Sequence, residues 1–172
     1  MQNDHLKYPI GNFVQPTIYN DQVIENLIKD IEDFPQMLIQ KSESMSQEEL
    51  DKPYRPGGWT GRQVVHHLAD SHMNAFIRFK LSLTENGPTI KPYNEASWAK
   101  LPDSALPIDP SLKILDALHL KWANLLGQFN EADFDKFYVH PETKSSWTMK
   151  KALVLYAWHG KHHLGHLNLI KK

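Results

Sequence analysis

Four stretches of this chain repeat apolar residues at three- and four-residue spacing, and that periodicity constrains the fold more than any other feature. Over residues 21–40 the stripe is Val23, Ile24, Leu27, Ile31 and Phe34. Pro35 lies inside it and should end or kink the helix before Met37, Leu38 and Ile39 resume the pattern. Thr60-Gly61-Arg62-Gln63 is a capping box that opens a second helix, striped by Val64, Leu68, Ala75, Phe79 and Leu83 and running to about Thr84. Asp109 before Pro110 reads as a cap followed by proline at the first helical position. The third helix then runs to about Phe129, with Leu112, Leu115, Leu118, Trp122, Leu125 and Leu126 as its stripe. Thr148 caps the last helix, with Ala152, Tyr156, Leu167 and Ile170 on one line. Four amphipathic helices must bury four stripes against one another, and an all-α four-helix bundle does this.

The connections set the topology. Residues 86–109 hold Pro88, Pro92, Pro102 and Pro107 and are too long for an ordinary turn. Such a segment can travel the length of a bundle and let the second and third helices run parallel. Ser46-Gln47-Glu48-Glu49 is another capping box, on a short helix, and Pro53, Pro56, Gly57 and Gly58 mark the loop before Trp59. Residues 1–19, with Pro9, Gly11 and Pro16, suit an extended arm over the body. Residues 130–134 suit one helical turn, and Phe137-Tyr138-Val139 with Ser145-Ser146-Trp147 suit a small hairpin before the last helix. All of it fits a single domain over residues 1–172.

Composition excludes several functions. A formal net charge of −1 gives no electrostatic footprint for nucleic acid. The longest apolar run, Ala152 to Trp158, is far short of a membrane span. With no cysteine, there is neither a disulfide nor a thiolate ligand, so any metal must be held by nitrogen and oxygen. Asp4, His5, Lys7 and Pro9 interrupt the place where the apolar core of a signal peptide would lie, so a cytoplasmic location is expected.

Seven of the ten histidines, His66, His67, His72, His159, His162, His163 and His166, fall in two windows far apart in the chain. Histidines four apart share a helical face and can reach one ion, which makes His159 with His163 and His162 with His166 the candidate pairs. Phase favours the first pair, which lies on the stripe of Ala152, Tyr156, Leu167 and Ile170. In the second helix His67 shares the face of Val64, Leu68 and Ala75, whereas His66 sits among Arg62, Gln63 and Asp70 and should point outward. Three buried imidazoles without an ion would leave nitrogens unpaired, at a cost of roughly 1–3 kcal/mol each. Nitrogen ligands suit zinc or nickel, and three of them leave a position open for water or another nucleophile. Ser71, Asn74 and Arg78 follow His67 at helical spacing and form a candidate polar strip for substrate, with Asp70 as an acceptor for a histidine N–H. His5, His119 and His140 are isolated and receive no role. Gly160, inside the ligand pair, costs about 1 kcal/mol of helix propensity, which an ion could offset.

The run from Tyr54-Arg55-Pro56-Gly57-Gly58-Trp59-Thr60 through Gln63-Val64-Val65-His66-His67-Leu68-Ala69-Asp70-Ser71-His72-Met73-Asn74 to Ile77-Arg78-Phe79-Lys80 resembles the YfiT-like branch of the DinB superfamily. So do Tyr8-Pro9-Ile10-Gly11 and Tyr156-Ala157-Trp158-His159. The resemblance implies an up-down-down-up bundle and one metal ion per subunit on three histidines, which fall on His67, His159 and His163. It implies a homodimeric metal-dependent hydrolase acting on a small molecule. A relative's chemistry, thiol S-transfer from bacillithiol or a similar low-molecular-weight thiol, is the alternative, and a non-catalytic metal- or ligand-binding module the third reading.

Overall fold

The computed structural model describes residues 4–171. The elements, in chain order, are helices α1 (Asp4–Lys7), α2 (Asp21–Glu43), α3 (Gln47–Leu50), α4 (Gly61–Thr84) and α5 (Glu95–Trp98) and a 3-10 turn (Pro102–Ala105). Helices α6 (Asp109–Leu126) and α7 (Glu131–Asp135), strands β1 (Phe137–His140) and β2 (Ser145–Thr148) and helix α8 (Met149–Ile170) follow. The capping boxes at Ser46 and Thr60 are both formed, and the Thr148 side chain accepts from the Lys151 N–H. At α6 the boundary falls one residue earlier than the sequence suggests. Ile108 is the cap, and Asp109 lies inside the first turn, where its carboxylate meets the positive end of the helix dipole.

Pro35 does not end α2, which runs on from Asp21 to Glu43, because its cost is met from outside the helix. Proline removes the N–H that would have bonded to the Ile31 carbonyl. In its place the Nδ1 of His119, on α6, lies 2.5 Å from that carbonyl oxygen, and the proline ring itself is buried.

Side-chain pairs fix the helix directions. Helix α2 is antiparallel to α6 (Ile31 with His119, Gln36 with Asp116) and parallel to α8 (Phe34 against Gly160, the Ser44 carbonyl with Lys171). Helix α4 is parallel to α6 (His66 with Ser111, Phe79 with Trp122) and antiparallel to α8 (Gly61 against Ile170, Arg78 with Tyr156). The order is therefore up-down-down-up, and residues 85–108 form the crossover that the parallel α4–α6 pair requires. Arg62, on α4, ties this segment down by donating to Asp51, Gln47 and the Leu106 carbonyl at 2.8–3.2 Å.

The core divides into two apolar clusters. One holds Ile31, Ala75, Phe79, Trp122, Leu126 and Tyr156, and the other Phe34, Leu38, Val64, Leu68, Leu115 and Leu167. His72, His119 and His159 occupy the level between them, joined by ring-nitrogen contacts. The hairpin pairs Tyr138 with Trp147 and His140 with Ser145 and leans on the crossover through a parallel bridge between Thr89 and Val139. The arm is not extended throughout, since α1 forms a helical turn ahead of the breakers Pro9, Gly11 and Pro16. It crosses α8 at Gly165, where a Cβ would lie 2.7 Å from Pro9, and Phe13 packs edge-on against Trp158. Among the described residues no helix is long and apolar enough to cross a membrane.

Candidate metal centre

Helical spacing puts His159 and His163 on one face of α8, and the antiparallel approach of α4 sets His67 opposite them. The ligating atoms offered by the three lie within 4.8 Å of one another. His67 Nε2 is 3.3 Å from His159 Nε2. In a tetrahedral site with metal–nitrogen bonds of about 2.0–2.1 Å, two ligand nitrogens stand about 3.3–3.4 Å apart, so this edge already has the dimensions of a site. Burial, and then the neighbouring His166, pushes His67 down to about 4, and burial drives His159 and His163 well below the ordinary histidine range. All three are neutral at pH 7, the form in which imidazole binds a metal. The donor set therefore fits one divalent ion.

The remaining histidines are not a solvated fringe. His66 is buried against the crossover, with Nδ1 2.7 Å from Ser111 Oγ and Nε2 3.0 Å from the Leu106 carbonyl, because residues that the sequence cannot place cover its expected outward face. His166 uses both nitrogens, Nδ1 3.2 Å from His163 Nδ1 and Nε2 3.1 Å from the Lys7 carbonyl. A second grouping of His162, His163 and His166 has donor atoms equally close together, but it shares His163 and includes this already engaged ring. His162 stacks on Trp158 at 4.4 Å between centroids. Sequence reasoning gave no role to His72 or His119, yet both are fully buried. His72 Nδ1 is 2.7 Å from His119 Nε2, and His72 Nε2 is 3.1 Å from His159 Nδ1. The available signal was Pro35, whose missing N–H leaves a buried carbonyl in need of a donor.

Beside the three histidines opens a cavity of about 470 Å³. Ser71 and Arg78 line it from α4, Tyr156 and Trp158 from α8, and His140 and Trp147 from the hairpin. Arg78 Nη1 donates to the Tyr156 hydroxyl at 3.1 Å, and burial raises that phenol's pKa, so the phenol stays protonated. Asn74 is not part of the wall, since its amide donates to the Asp70 carbonyl one turn back. The Asp70 carboxylate accepts from no histidine among the described residues, and burial raises its pKa. Gly160 has a steric reason for being glycine, because a Cβ there would stand 2.7 Å from the Phe34 ring.

A profile of the DinB superfamily matches residues 30–167. The chain belongs to the DinB superfamily. Within it the chain is 50% identical over 167 residues to a Bacillus mycoides protein named "putative metal-dependent hydrolase", covering 97% of this chain and 96% of that one. Bacillus cereus proteins of the same name are 51% identical over the same spans. YfiT from Bacillus subtilis, described as a "probable metal-dependent hydrolase with an unusual four-helix bundle topology", superposes with a TM-score of 0.93 at 45% identity, covering 96% of this chain and 95% of that one. The up-down-down-up order and the histidine cluster of this DinB-superfamily chain agree with those descriptions.

Proposed function

We propose that the chain is a hydrolase in which His67, His159 and His163 hold one zinc or nickel ion against a small electrophilic substrate. The observation that carries this reading is the number of ligands. Three imidazoles converge, no fourth protein donor joins them among the described residues, and the open side gives onto the cavity. A structural site closes with four protein ligands, whereas a catalytic one keeps a position free. When bound, such an ion supplies Lewis acidity and lowers the pKa of water to about 7.

The chain's own groups do the rest. Trp59 lies 4.6 Å from His67 between ring centroids, and with Trp147 and Trp158 it gives the cavity an aromatic wall. Arg78, steadied on the Tyr156 hydroxyl, offers a charged donor that can orient a carbonyl or carboxylate oxygen. Ser71 supplies a second polar contact on the same wall. A low-molecular-weight thiol would find the same open position and the same orienting groups.

The test is metal analysis of untagged protein, followed by turnover of esters, amides and other electrophiles with and without added thiol. One ion per chain and chelator-sensitive turnover without thiol is the expected result. Turnover only with thiol would make the protein an S-transferase, and an ion with four protein ligands and no turnover would make it a binding module. The homodimer belongs to the same proposal and is checked by light scattering.

A further inference from the structure

A carbonyl oxygen only accepts, and this fixes the direction of every hydrogen bond in the histidine layer. His119 Nδ1 faces the Ile31 carbonyl, so Nδ1 carries the proton, and in a neutral ring Nε2 is left as an acceptor. His72 Nδ1, 2.7 Å from that Nε2, is therefore a donor, and His72 Nε2 becomes the next acceptor. His159 Nδ1, 3.1 Å away, donates to it. The proton count leaves His159 with a bare Nε2, the atom that stands 3.3 Å from His67 Nε2.

We propose that Pro35, the Ile31 carbonyl, His119 and His72 form a positioning relay that holds His159 in the tautomer and ring orientation presenting Nε2 to the ion. The inference rests on the ligand role of His159 proposed above. Ligating histidines ordinarily donate their second N–H to a carboxylate, a carbonyl or water. Here the carbonyl lies two rings away, and it is available because a proline inside α2 gives it no helical donor. Both relay rings are fully buried with no carboxylate among their hydrogen-bond partners, so each carries a single proton and the chain has one direction. The Phe34 ring, with its centroid 5.3 Å from the centroids of both His72 and His119, keeps them from turning. His163 is served in the same way by a shorter chain. His166 Nε2–H donates to the Lys7 carbonyl, His166 Nδ1 then accepts from His163 Nδ1–H, and His163 Nε2 is left bare.

Long-range proton–nitrogen correlation NMR on histidine-labelled, full-length protein, metal-free and zinc-loaded, reads the tautomers without any substitution. His119, His72 and His159 should all be protonated at Nδ1, and an Nε2-protonated His119 or His72 overturns the relay. In chelator competition, His119→Phe should bind zinc about 10–100-fold more weakly. His119→Gln, whose amide can donate to Ile31 and accept from His72, should recover most of that loss. His66→Gln, a buried histidine outside the chain of bonds, should bind as the unaltered protein does. Undiminished zinc affinity in His119→Phe overturns the relay and leaves the ligand assignment standing, whereas undiminished affinity in His159→Ala overturns the ligand assignment itself.

Discussion

Gly160→Ala sets two effects of known sign against each other. In an exposed helix the alanine would be better by about 1 kcal/mol. At this position its Cβ would stand 2.7 and 2.8 Å from two atoms of the Phe34 ring and 3.2 Å from a third, against an ordinary carbon–carbon separation of about 3.5–4.0 Å. The ring would have to retreat by about 1 Å. It is 3% exposed and backed by His72 and His119, so it has nowhere to retreat without moving the histidine layer. Overpacking of this kind costs about 1–3 kcal/mol, which leaves a net loss of about 1 kcal/mol once the propensity gain is subtracted. For a chain of this length that is a fall in Tm of about 3 °C. Denaturant unfolding of metal-free protein measures it, and a cycle with Phe34→Leu, which makes room for the methyl group, should show the two sites coupled. A Gly160→Ala protein more stable than the parent, or a cycle without coupling, would refute the steric account.

Acid should destabilise the metal-free protein in a defined window. His67 and His119 are held at about 4, whereas unfolded histidine titrates near 6.5. Between those limits the unfolded chain takes up protons that the folded one refuses. Stability is therefore full above about pH 6.5 and falls toward pH 4, by up to about 1.4 kcal/mol per pH unit for each such histidine, as urea melts across that range will show. Removing the ion with a chelator should lower Tm without unfolding the bundle, and free zinc at a thousandfold over Kd should restore about 4 kcal/mol. An apo protein unfolded at room temperature would show that the two apolar clusters do not suffice. Arg78→Met should keep one ion per chain while turnover falls about 10–100-fold, the worth of a charged hydrogen bond, and loss of metal in that variant would contradict its place on the cavity wall. Arg62→Ala should cost about 1–3 kcal/mol in thermal melts, because it releases the crossover from α3 and α4.

What the sequence showed and what it hid divide along a physical line. Periodicity and caps are local, so the four helices, the Thr60 and Ser46 boxes and the hairpin could be read directly, and the long connection gave the parallel α4–α6 pair. Phase likewise placed His67, His159 and His163 on faces that the fold brings together. Phase judges a face against one stripe, however, and the first half of α4 is buried on nearly every side, between α6, α8 and the crossover. That is why phase points His66 outward and assigns no role to His72, although His72 belongs to the same cluster of histidines. The continuity of α2 past Pro35 has a related reason, since the compensating donor comes from α6 and no local rule within α2 shows it. Asn74 has the spacing of a wall residue, and only the structure shows its amide spent on its own helix.

The hairpin between α7 and α8 supplies part of the cavity wall from outside the helical bundle. The three histidines stand on long helices whose positions are fixed by both apolar clusters, whereas His140, Thr143 and Ser145 reach the cavity from a short ribbon whose tip is solvent-exposed and turns at Lys144 with φ of 51°. On the proposed reading, the part of the cavity wall that the ribbon supplies is therefore separable from the metal ligands, whereas Ser71 and Arg78 share α4 with His67. If His67, His159 and His163 hold the ion as proposed, changes confined to residues 140–145 would alter which molecules fit without touching those ligands, and related proteins could diverge in substrate through the ribbon while keeping one inorganic core. A randomised library limited to that tip, sorted for new turnover at constant metal content, would exploit the same separation.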